Sequence, residues 1–118
     1  MSEVMVLRMA PDASWVRVGL RPELAFRPHS PSQRLLARLL QERRDRPGHS
    51  VAADELARLA WPDVPVSIRR NRLKVTIGSL RDRGLRMFLL WRDGGYLFDR
   101  EAVIEVHGIV RVTIAPAA

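Results

Sequence analysis

Between Ser67 and Arg86 the chain sets seven basic side chains, Arg69, Arg70, Arg72, Lys74, Arg81, Arg83 and Arg86, against the single acid Asp82. That stretch holds +6 of a formal net charge of +7, because residues 1–66 contribute +2 and residues 87–118 contribute −1. Charge gathered on one segment builds a local positive field that attracts phosphates and speeds encounter with a nucleic acid. A charge run is more often a solvated helix face, and that plainer reading stands beside the first. Spacing adds shape to the charge: Leu73, Ile77 and Leu80 fall at i, i+4 and i+7, a single apolar stripe. At about 100° per residue, Arg70, Lys74 and Arg81 lie along one flank of the stripe and Arg72, Thr76, Ser79 and Arg83 along the other. Asn71, Val75 and Gly78 point away from it. Such a helix can set its outer face into a major groove, with Arg and Lys reaching phosphates on both walls and small or amide side chains meeting base edges.

Other chemistries find little to work with. Without cysteine there is no disulfide framework, thiolate metal site or cysteine nucleophile, which suits a reducing cytoplasm. His29, His49 and His107 stand alone in three segments, without metal-site spacing, and read as surface or capping histidines. Asp54 and Glu55 are explained by a helix start and Ser30 by a cap. The glycines after Asp93 lack the strand–loop–helix context of a phosphate-cradling loop. Trp15, Trp61 and Trp91 fall on predicted strands or a helix end and read as core rather than as a base-stacking platform. The expectation is a protein that is not an enzyme and needs no cofactor or metal.

The elements that must position the basic helix follow from composition and local pattern. At 118 residues, 47% hydrophobic and 28% charged, the chain suits one domain spanning 1–118. No stretch approaches the roughly eighteen uninterrupted apolar residues of a membrane span, so a soluble, unexported protein without membrane contact is expected. Glu3 to Met9 and Trp15 to Leu20 read as strands around a Pro/Asp/Ser turn, with a third strand near Leu24–Phe26, so that residues 1–27 form N-terminal strands. Ser30, Pro31 and Gln33 give the cap, first position and capping box of a helix over Pro31–Arg44. Its apolar face is Leu35, Leu36, Leu39 and Leu40, with Arg34, Arg38 and Glu42 outward. A second helix follows in ADELARLAWP, burying Leu56, Leu59, Ala60 and Trp61, and the basic helix begins near Ser67 and stops at Gly84. Residues 30–84 thus form a three-helix core. RMFLLWRDGGYLFDR places two apolar strands around Asp93-Gly94, a hairpin over 86–99. Residues 101–114, in EAVIEVHGIVRVTI, add one or two further strands that close the sheet or offer an edge to a second subunit as a homodimer.

This order of elements resembles the winged helix-turn-helix effector domain of OmpR/PhoB-type bacterial response regulators. RLLARLLQERRDRPG resembles the family's leucine-rich first helix, DELARLAWP its second helix, RLKVTIGSLRDRG its recognition helix, and LLWRDGGYLF its wing, over about residues 20–99. The resemblance implies an α+β fold: an N-terminal antiparallel β-sheet, three helices and a C-terminal β-hairpin wing, here with an extra C-terminal strand segment. It implies double-stranded DNA as partner, read from the outer face of the third helix, which here offers Asn71, Arg72, Thr76 and Ser79; the charge of the same helix adds Arg69, Arg70 and Lys74 to the DNA-binding candidates. Arg81 matches a family arginine that contacts phosphate, and Arg92 a wing arginine at the minor groove. PDVPV is short beside the family's polymerase-touching loop, and no receiver domain or phospho-acceptor is expected.

Two function classes result. One is a bacterial, cytoplasmic and nucleoid-associated transcription regulator whose DNA affinity falls with salt. The other is a winged-helix protein-interaction or dimerisation module that docks on an acidic partner or a regulatory protein.

Overall fold

The first helix starts where its capping residues stand. Ser30 is extended (φ −68°, ψ 158°), its Oγ accepts from the Gln33 backbone N–H, and Pro31 takes the first position. Helix α1 then runs Pro31–Asp45 in this computed structural model, which describes residues 5–107. Gln33 reaches further back than a capping box requires, accepting from the His29 N–H and donating to the Asp12 carbonyl, which pins the helix start to a preceding turn. Leu35, Leu36, Leu39 and Leu40 are buried as the periodicity predicts.

Glu42 is not on the outer face. It is 4% exposed, with Arg38 Nη1 2.9 Å from Oε1 and with Arg46 Nη2 at 2.8 Å and His49 Nδ1 at 3.5 Å from Oε2. Burial alone would raise its carboxyl, but the Arg38 hydrogen bond and the charges of Arg46, Arg38 and His49 outweigh this and hold it below the usual carboxylate range.

Among the described residues three α-helices and two sheets make an α+β fold. The strands are β1 (Val6–Met9), β2 (Trp15–Val18), β3 (Leu24–Ala25), β4 (Val51–Ala52), β5 (Leu89–Arg92), β6 (Gly95–Phe98) and β7 (Val103–Val106). Helices α2 (Ala53–Ala60) and α3 (Val66–Leu80) complete the set. One sheet has the order β3-β2-β1-β7 and the other β4-β6-β5. The expected N-terminal sheet is therefore mixed rather than wholly antiparallel: β7 lies parallel to β1, Val6 opposite Val103 and Met9 opposite Val106. The Arg8–Glu105 pair at 3.2 Å and the His107 N–H on the Met9 carbonyl secure it. The first part of the extra segment thus closes the sheet within the same chain, and its remainder, residues 108–114, lies outside the described residues, as does the expected strand start at Glu3.

Helix α2 buries Leu56, Ala57 and Ala60, not the full expected set: Leu59 is exposed and Trp61 half-buried. In so short a helix only one narrow face meets the core, and Ala57 rather than Leu59 falls on it. Leu73, Ile77 and Leu80 bury α3 as the stripe predicts. Beyond Leu80 the helical path kinks within Arg81–Leu85, where Gly84 takes φ 123°, open to glycine and strained for other residues. The β5–β6 hairpin turns on Asp93 (φ 53°) and Gly94 (φ 76°), positive at both central positions as a type I′ turn demands. At Gly95 a Cβ would stand 2.1 Å from the Val51 carbonyl oxygen, so β4 can pair with β6 only because that side chain is missing.

Candidate nucleic-acid interface

Helix α3 is held by one narrow stripe, and most of its remaining circumference is exposed. Asn71, Arg72, Lys74, Val75 and Ser79 are exposed, Thr76 and Gly78 half-buried. No hydrogen-bond or ion-pair partner engages Arg72 or Lys74 among the described residues, so both cations are free to meet an outside anion. A Cβ at Gly78 would find nothing within 4 Å, so the helix has open space there.

Other basic residues of the predicted set are committed within the protein. Arg69 is half-buried and its Nη1 donates to the Val64 carbonyl at 3.4 Å, in the turn before the helix. Arg70 grips Asp54 of α2 through two parallel hydrogen bonds of 2.8 and 2.9 Å. This contact holds the Asp54 carboxyl below its ordinary range. Both side chains remain more than half exposed, so the pair is open to exchange with another anion. Arg81 turns inward: Nε and Nη2 both donate to the Leu89 carbonyl, at 3.1 and 2.8 Å, and its Cζ stands 6.0 Å from the centre of the Tyr96 ring. Its donors join the end of α3 to the first strand of the hairpin, a use that geometry alone reveals.

On the hairpin the alternation of side chains separates two neighbours. Leu89 and Trp91 share one face of β5 while Leu90 and Arg92 share the other. Arg92 is exposed and without a partner among the described residues. Trp91, expected in the core, is 55% exposed and packs edge-on against Tyr96 with ring centres 4.9 Å apart. A cleft of about 330 Å³ lies between α3, the start of α2 and the hairpin, bordered by Ala53, Leu73, Lys74, Trp91 and Tyr96, with the Asp54–Arg70 pair at its rim. Sequence reasoning missed Trp91; its place near the end of β5, two residues before the Asp93-Gly94 turn, was the available signal that the core ends there.

Among the described residues no cluster of three metal-ligating side chains exists, and no helix is long and apolar enough to cross a membrane. Comparison with known proteins finds no matching family model, curated protein or solved structure.

Proposed function

We propose that this chain is a DNA-binding transcription regulator with the winged helix-turn-helix design of OmpR/PhoB-type effector domains, acting at the nucleoid. In this reading α2 and α3 are the helix-turn-helix, α3 enters the major groove, and the β5–β6 hairpin is the wing at the adjacent backbone or minor groove. The observation that carries it is the outer face of α3, where Arg72 and Lys74 stand exposed and unpaired beside Asn71 and Ser79. Dimensions agree: fifteen residues give a rod of about 22 Å, and a helix about 10–12 Å across fits a groove about 12 Å wide. Lys74 and Arg72 flank the outer face and reach for opposite phosphate walls, while Asn71 can pair with a base edge and Val75 can meet a thymine methyl.

Docking on an acidic protein is the second reading, favoured by Val66, Ile68 and Val75, which α3 exposes at 48%, 47% and 64%. Selection from a pool of random duplexes at two salt concentrations, with sequencing of the retained fraction, separates the two. Sequence-enriched, salt-sensitive retention supports the regulator, and absence of retention at low salt overturns it. Within the DNA reading, Arg72→Ala with Lys74→Ala lowers affinity for every duplex and flattens the salt slope, by about 0.9 per lost phosphate contact. Asn71→Ala or Thr76→Ala changes sequence preference instead.

A further inference from the structure

Trp91 stands on the core side of the hairpin without the cover its neighbours have. Opposite Leu89 in the ladder is Phe98, and opposite Trp91 is Tyr96; Leu89, Phe98 and Tyr96 are buried, whereas Trp91 is 55% exposed. The buried row thus runs past the end of the core and finishes as one wall of the cleft beside α3. Leu73 and Ala53 add apolar surface to that cleft, and Lys74, exposed and without a partner among the described residues, supplies a cation at its edge. An aromatic face next to a free ammonium fits a ligand unit that is apolar on one side and anionic on the other.

We infer that this cleft seats one nucleotide of a DNA strand, with the Trp91 ring against its sugar and base edge and the Lys74 ammonium on its phosphate. The inference rests on the DNA-binding reading and extends it, because a strand passing from α3 to the hairpin crosses the cleft between them. Arg70 joins the phosphate contact by exchanging Asp54 for it, an exchange that the exposure of both partners allows. At about 330 Å³ the cleft lies at the small end of ligand pockets, enough for one such unit and too small for a duplex. The occupant is read by shape and charge, so the contact is indifferent to base identity.

The test is titration of a labelled mixed-sequence duplex at several salt concentrations with the wild type, Trp91→Ala, Trp91→Phe and Lys74→Ala. Trp91→Ala is expected to weaken binding about tenfold, toward the lower end of an aromatic–nucleotide contact, with the salt slope kept. Trp91→Phe retains most of the affinity, and Lys74→Ala weakens binding and flattens the slope by about 0.9. Wild-type binding that Trp91→Ala leaves within about twofold overturns the cleft while leaving the DNA reading intact. A Trp91→Ala variant that also flattens the slope overturns it as well, since an uncharged ring releases no counterion. Failure of the wild type to bind any duplex at low salt overturns both.

Discussion

Replacing Arg81 with alanine separates two roles that a basic residue on α3 could have. The guanidinium spends two donors on one carbonyl, that of Leu89, whose residue is fully buried, and lies within cation–π reach of Tyr96. Hydrogen bonds from a charged donor contribute about 1.5–3 kcal/mol, and the aromatic contact adds about 0.5–1 kcal/mol where it is partly exposed. Arg81→Ala is therefore expected to cost about 2–3 kcal/mol of stability. For a chain of this size each kcal/mol lowers Tm by about 4 °C, so a thermal melt followed by circular dichroism should fall by about 10 °C. Arg81→Lys recovers part of that loss, because an ammonium keeps the charge but lacks the fork that brings two N–H groups to one oxygen. Duplex binding, measured well below the melting range, should keep its salt slope. A variant that melts within about 1 °C of the wild type while its slope drops by about 0.9 would refute this reasoning and return Arg81 to the DNA surface.

Three further perturbations probe other joints of the molecule. Glu42→Gln should lower stability at neutral pH by about 2 kcal/mol, since it removes the charge that three basic groups surround at a buried site. Because the Glu42 carboxyl is held low in the folded state, its stabilisation is present above its unfolded value of about 4.3 and lost as pH falls through the lower folded one; the acid limb of a Tm-against-pH curve should be shallower in Glu42→Gln. Gly95→Ala should cost at least about 2 kcal/mol by denaturant titration, because the new methyl group collides with the Val51 backbone and forces β4 off β6. Asp54→Asn should leave the melting temperature nearly unchanged, the pair being exposed, yet tighten duplex binding with the salt slope kept, as Arg70 then meets its phosphate without first leaving Asp54. An Asp54→Asn variant that binds no tighter than the wild type would mean that Arg70 never turns to DNA.

Local rules reach far into this fold and then stop for identifiable reasons. Ser30 and Pro31 set the start of α1, Asp93-Gly94 set the hairpin turn, and Leu73, Ile77 and Leu80 set the buried face of α3, because each depends on backbone preferences or on one period. Glu42 escapes the period since its burial depends on Arg38 and Arg46, one turn to either side, meeting it in the same place; those i±4 cations were visible in the sequence. The parallel pairing of β7 with β1 joins residues nearly the whole chain apart, and no window of neighbouring residues contains it. At the candidate site, charge density identified α3, but charge says nothing of which arginines are already engaged. Arg70 and Arg81 are bound within the protein while Arg72 and Lys74 are free, a division set by the positions of Asp54 and the Leu89 carbonyl.

The β1–β7 pairing also decides how the domain responds to tension. The strands run the same way, so the chain enters β1 at Val6 at one end of the ladder and leaves β7 at Val106 at the other. A pull between those two points acts along the strands, loading the paired residues together in shear, whereas a pull across the mouth of the β5–β6 hairpin would unzip it one pair at a time. Force applied through flanking segments therefore meets a clamp before it reaches α1, α2 or α3, and the rate at which that clamp yields sets the mechanical lifetime of the domain.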